Sequence, residues 1–166
     1  MTVLELLKSL KFKALFSLIK LFSRNILMIY PTIKATISCI KTTEKLFPGI
    51  HHINNSANAF RHSLWNALLV KEMMKWNKSL KKSIEWAKKI SDWHEDFSPN
   101  LPLAKEMDLH NNKVGRLIFE QHYIINNAIT KQELIEIIKT ETLNSYKVNS
   151  ISEINNYKTR LVHLLD

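Results

Sequence analysis

Glycine and proline are nearly absent from this chain: of 166 residues only Gly49 and Gly115 are glycine, and only Pro31, Pro48, Pro99 and Pro102 are proline. Tight hairpins and many short strands draw on these residues for positive φ and for fixed turns, so a β-rich fold lacks its punctuation. Apolar residues recur instead at three- and four-residue spacing, the period of a helix with one buried face. The expected fold class is all-α, a single compact multi-helix bundle with a polar His, Asp, Glu, Asn and Arg cluster between helices. The length allows one domain with a core that needs no disulfide or structural metal. Cys39 is the only cysteine, which rules out an internal disulfide or a cysteine zinc knuckle; it reads as a small buried apolar residue, in keeping with a reducing cytoplasm.

Two regions are expected within that one domain. Residues 1–47 read as amphipathic basic helices packed on the core, and residues 48–166 as the helical part that carries the site. In the first region Leu4, Leu7, Leu15, Leu18 and Phe22 keep helical spacing, interrupted by Lys8, Lys11, Lys13, Lys20 and Arg24. No window reaches the roughly 18 uncharged residues of a membrane span. The lysines and the lack of a small-residue cleavage site also argue against a signal peptide. A helix ending near Arg24 and another from Pro31 to Lys45 are expected, with Pro31 suited to a first turn. The formal charge of +9 draws such a chain to an anionic phospholipid surface or to nucleic acid. Peripheral membrane contact is one reading of the basic helices; a core helix with a solvated basic face is the plainer one. The corresponding location is cytoplasmic or peripheral to a membrane.

Residues 48–55 read as a loop, followed by a helix capped by Asn55 or Ser56 and running to about Trp76. Further helices are expected over Leu80–Asp96 and from about Asp108 to His122, separated by a loop around Ser98–Leu103. Two shorter ones are announced by capping-box pairs, Thr130 with Glu133 and Ser150 with Glu153.

Three segments carry the chemistry. In Asn58-Ala-Phe-Arg61-His62-Ser-Leu-Trp65-Asn66, positions 58, 62 and 66 share a helix face, with 61 and 65 beside them. A polar stripe against an apolar one needs partners, because buried polar groups must be hydrogen-bonded. In Trp93-His94-Glu95-Asp96, His94 continues the stripe of Ile84, Ala87 and Ile90 and is expected to point inward. In Asp108-Leu-His110-Asn111-Asn112-Lys-Val-Gly115-Arg116, Asp108, Asn111 and Gly115 are expected on one face with His110 beside it. Gly115 within a helix costs about 1 kcal/mol relative to alanine, which points to close approach of another helix or of a ligand.

These groups support two chemistries. His62, His94, Asp108 and His110 are candidate ligands for a divalent metal, zinc, manganese or iron, which would activate water. Without metal, a histidine among His62, His94 and His110, oriented by Glu95 or Asp108, can serve as general base. Arg61, Arg116, Asn58, Asn66, Asn111 and Asn112 would then bind the substrate anion.

The Asn-Ala-Phe-Arg-His62-x-x-Trp-Asn66, His94-Glu95 and Met107-Asp-Leu-His110-Asn-Asn-x-x-Gly115-Arg116 segments together resemble an uncharacterised bacterial domain. That domain recurs at the C-terminal ends of secreted or polymorphic toxin-like proteins, and the resemblance covers residues 56–120. It implies a toxin or effector setting, with export by a carrier and an immunity or adaptor protein as partner. A looser likeness is to the HD metal-dependent phosphohydrolases. There an Arg-His element precedes a His-Asp dyad by about thirty residues, and here His62 and His94 are 94 − 62 = 32 positions apart. The dyad reads His94-Glu95, and Asp108 would have to serve as the final aspartate. Zinc-dependent phospholipase C enzymes offer a third, more general comparison. The function expected from all of this is hydrolysis of phosphoester bonds, metal-dependent, in a phospholipid or in a nucleic acid or nucleotide. The alternative is a non-enzymatic membrane- or partner-binding protein whose polar cluster is structural, with Trp65, Trp76, Trp86 and Trp93 at an interface.

Overall fold

The computed structural model describes residues 12–166, so the expectations placed on Leu4, Leu7, Lys8 and Lys11 lie outside the described residues. The chain forms α1 (Phe12–Ser23), a 3-10 turn (Ile26–Met28), α2 (Ile29–Leu46), α3 (Ser56–Asn77), α4 (Leu80–Phe97), α5 (Pro102–Ile125) and α6 (Lys131–Leu143). It closes with β1 (Tyr146–Lys147), the one-turn α7 (Ile151–Ile154) and β2 (Val162–His163). The two strands pair in parallel, Tyr146 with Val162 and Lys147 with His163, and are the small exception to an all-α architecture.

The central element is α3, which packs against α2, α4, α5 and α6. Fourteen of its 22 residues are buried, and they include Asn58, His62, Ser63 and Asn66 along with Phe60, Leu64, Ala67 and Leu68. A helix surrounded by others has no solvent side on which to leave its polar stripe. Its start is set by Asn55, whose side chain accepts from the Asn58 backbone at 3.1 Å. Its end is set by Lys78 in the left-handed conformation.

Helix α2 is tied to its neighbours through tryptophan. Trp65 Nε1 donates to Thr36 and Trp86 Nε1 to Thr32, each at 3.0 Å. Trp86 is in the core, while Trp76 is half exposed with its ring 5.9 Å from that of Tyr30. Cys39 is buried, as its isolation in the sequence implied, and burial pushes its thiol up to about 12. On α1, Ala14 is buried and Leu21 and Phe22 pack on the core, while Phe12, Phe16 and Ile19 face outward.

Two boundaries differ from expectation. Helix α5 begins at Pro102, six residues before Asp108, because proline at a first helical position loses no hydrogen bond and already has a helical φ. The Thr130–Glu133 capping box forms in full and starts α6. At Ser150 only half of it forms: the hydroxyl accepts from the Glu153 backbone, while the Glu153 carboxylate turns to the Asn149 backbone, and α7 stops after one turn.

The crossing of α3 and α5 positions the site. A Cβ on Gly115 would collide with the Ser63 carbonyl and lie 2.7 Å from the Ser63 Cα, so only glycine lets these two backbones meet. A second, smaller core of Met107, Val148, Ile154 and Val162 lies under the C-terminal segment.

Candidate active site

The close approach at Gly115 sets a row of α5 side chains against α3. That row is Asp108, Asn112 and Arg116, spaced i, i+4, i+8, rather than the i, i+3, i+7 set of Asp108, Asn111 and Gly115 that the sequence favours. Both spacings lie near one helix face, and the glycine decides between them by bringing the helices together at its own position. On α4 the inward i+4 row is Ser83, Ala87, Ser91 and Glu95, and all four are buried. Glu95 therefore takes the inward place expected for His94, which is exposed at the rim.

His62 lies at the centre, 2% exposed, and both of its ring nitrogens are engaged. Nδ1 is 3.2 Å from Asn112 Oδ1 and 3.4 Å from Glu95 Oε1. Nε2 accepts from Arg61 Nη2 at 2.9 Å and lies 3.2 Å from Asp108 Oδ1. A guanidinium only donates, so the nitrogen it meets carries the lone pair and the ring proton belongs on Nδ1. If Nε2 takes up a proton, Asp108 Oδ1 is in place to accept from it.

The carboxylates are positioned by amides. Asn112 Nδ2 donates to Glu95 Oε1 at 2.9 Å, and Asn100 Nδ2 to Asp108 Oδ2 at 2.8 Å. With its amide set by its neighbours, Asn58 donates to Asp108 Oδ1 at 3.0 Å and accepts from Arg61 Nη2 at 3.1 Å. Asn66 Nδ2 donates to Asn112 Oδ1 at 2.6 Å, and Arg116 Nη1 donates to Asn66 Oδ1 at 2.6 Å and to Ser91 Oγ at 3.1 Å. Arg116 is thus a buried brace for the amides rather than an anion clamp at the rim. Burial lowers its pKa to about 10, which leaves it charged at neutral pH.

Burial affects the two acids differently. It pushes Asp108 up to about 6, with the neighbouring His62 ring opposing. At Glu95 the same burial would raise the pKa, but the hydrogen bonds from His62 and Asn112, with His94 nearby, outweigh it and hold the carboxyl below its usual value. The His94 ring packs edge-on to Trp65, 5.3 Å between centroids, and 6.4 Å from the His62 ring. Desolvation of the ring lowers its pKa, which leaves His94 neutral at pH 7.

Two expected site residues go elsewhere. His110 Nε2 donates to the Arg160 carbonyl at 2.8 Å, and Asn111 binds both backbone groups of Val162, donating at 2.9 Å and accepting at 3.1 Å. They hold the C-terminal segment against α5, on a different side of the helix from Asp108. The ligand set expected from His62, His94, Asp108 and His110 is therefore not assembled. The groups that do converge are His62, Glu95 and Asp108, which offer one donor atom each within 4.8 Å of one another. Ser91 and Asn100 were not legible as site residues. Ser91 sits four before Glu95, a spacing that could have revealed it, while nothing in the loop marks Asn100.

The fold and the site together define a class: an all-helical domain in which a central helix carries a buried imidazole held between two carboxylates and braced by amides. Residues 19–146 match a family described as a domain of unknown function (DUF6973), and the chain belongs to that family. No curated protein and no solved structure matches the chain. All three motif segments fall inside the family match.

Proposed function

We propose that the protein is a hydrolase of phosphoester bonds in which His62 is the general base. The observation that supports this reading is the His62 ring itself, with a lone pair on Nε2 facing Arg61 and a carboxylate beside each nitrogen. Arg61 is only partly buried and can leave Nε2 to bind phosphoryl oxygens arriving from the rim. Nε2 then takes a proton from water as the water oxygen bonds to phosphorus, while Glu95 and Asn112 hold the Nδ1 proton and stabilise the imidazolium. As the phosphorus–oxygen ester bond breaks, His62 Nε2–H passes this proton to the Asp108 carboxylate, 3.2 Å away, which relays it to the leaving oxygen.

One observation favours a metal-dependent form of the same reaction. Glu95 Oε2 is buried with no hydrogen-bond partner among the described residues, as a carboxylate awaiting a cation would be. His62, Glu95 and Asp108 would hold zinc, manganese or iron, which would supply an activated water.

Of the two substrate classes, the exposed apolar residues Phe12, Phe16, Ile19, Ile26 and Leu27 beside Lys13, Lys20 and Arg24 favour phospholipid at an anionic surface. A toxin or effector role, with a carrier for export and an immunity or adaptor protein as partner, is the wider form of this proposal and rests on the likeness of the motifs.

The test is turnover of anionic phospholipid vesicles, single-stranded DNA and an activated phosphodiester, with and without a chelator and with metal content measured by elemental mass spectrometry. His62→Asn is expected to lose at least about 100-fold, and Arg61→Gln, a change at the rim that leaves the core intact, to lose a large part of kcat/KM. Activity that survives chelation assigns metal-free catalysis, and activity that requires bound metal assigns the second form. A wild-type protein inert on all three substrates, with or without added metal, overturns the proposal and leaves the cluster as a structural network.

A further inference from the structure

A second group of ligating side chains stands apart from the His62 centre, where the end of α2 meets the loop before α3. His51 Nε2 lies 2.7 Å from Glu44 Oε2, and the rings of His51 and His52 are 3.9 Å apart between centroids. Glu44, His51 and His52 each present a nitrogen or carboxylate oxygen within 4.8 Å of the other two. His51 is buried and fixed, and its Nδ1 is without a partner among the described residues; Glu44 and His52 are exposed. We infer that Glu44, His51 and His52 form a surface binding site for a divalent transition metal of the zinc type.

Two imidazoles and one carboxylate are a donor set that such ions favour, and they leave further coordination positions open to water or to a ligand from solvent. Ligand bonds of ~2.0–2.2 Å require the three donors to close around the ion. His51 and Glu44 already stand close enough, so the adjustment falls on the exposed ring of His52. Besides the His51 ring, His52 meets Arg61, with its Nδ1 3.4 Å from Arg61 Nη1. A metal that draws His52 away therefore releases one side of the arginine whose other side meets His62. The site itself does not depend on the role given to His62.

Isothermal titration of the untagged full chain with zinc ion alone tests this, on the wild type and on His52→Ala, Glu44→Gln and His62→Asn. The substituted side chains at 44 and 52 are exposed, so those two variants keep the fold, which circular dichroism verifies. An equivalent that weakens at least tenfold in His52→Ala and in Glu44→Gln and persists in His62→Asn is expected for the wild type, separate from any equivalent held by the buried centre. Absence of binding overturns the inference, as does binding that His52→Ala leaves unchanged. If the only equivalent disappears in His62→Asn, the ion belongs to the buried centre and the inference is likewise overturned.

Discussion

Asp108 and Glu95 occupy the same interior and flank the same imidazole, yet their acidities move in opposite directions. Glu95 has His62 Nδ1–H and the Asn112 amide directly on one oxygen, which outweighs its burial, whereas at Asp108 burial, aided by the nearby Glu95 carboxylate, outweighs His62, Arg61 and the amide of Asn100. An acid whose folded pKa is raised stabilises the fold fully below its unfolded pKa, and that contribution is lost as pH rises through the folded value. For Asp108 the window runs from about 3.8 to about 6, and the contribution is on the order of 3 kcal/mol. Glu95 has the reverse sign: its contribution is present above its unfolded pKa near 4.5 and is lost as pH falls below that. Asp108→Asn is therefore expected to flatten the stability profile between pH 4 and 6, measured as Tm against pH, and to leave the acid limb from Glu95 in place. A profile unchanged by the substitution would show that Asp108 titrates at its ordinary pKa. The site was partly legible at this scale. His62, Glu95, Asp108, Asn58, Asn66, Asn112 and Arg61 were all singled out by residue type and spacing. The inward choice of Glu95 over His94 was not, because adjacent residues at a helix end differ by about 100° in direction and the apolar stripe passes close to both.

At the scale of elements, the decisive contact is α3 on α5. Gly115 was marked in the sequence as an anomaly within a helix, and its reason is the Ser63 backbone against it. Gly115→Ala would raise helix propensity in isolation, yet it forces two backbones apart. The expected result is a loss of about 3 kcal/mol in urea unfolding, the upper part of the range for overpacking, since backbone cannot rotate away as a side chain can. An equal or higher stability would mean that the helices slide freely at this crossing. The crossing also separates the α5 motif into two sets. Asp108, Asn112 and Arg116 face the centre of the bundle, and His110 and Asn111 bind residues 160–162. The motif is contiguous in sequence, so it reads as one cluster, but a helix distributes adjacent residues around its axis.

Across the whole molecule, positive charge and exposed apolar side chains coincide at α1 and the turn after it. Lys13, Lys20 and Arg24 lie among Phe12, Phe16, Ile19, Ile26 and Leu27, and no helix among the described residues is long and apolar enough to cross a membrane. Reversing two of these charges, Lys20→Glu with Arg24→Glu, is expected to weaken sedimentation with anionic vesicles at least tenfold, since each basic residue near such a surface is worth about 1 kcal/mol. The binding should also fall with salt. Equal binding to neutral vesicles, or none to anionic ones, would remove the membrane from the proposal. What the sequence determined by itself was the helical class, the order and approximate extent of the helices, and the residue types of a polar centre, because these follow from local spacing, caps and the scarcity of glycine and proline. Tertiary structure alone decided which of those polar residues meet. Partners such as His62, Glu95 and Asp108 are brought together by helix crossings, and a crossing depends on how whole faces pack rather than on any spacing along one chain segment.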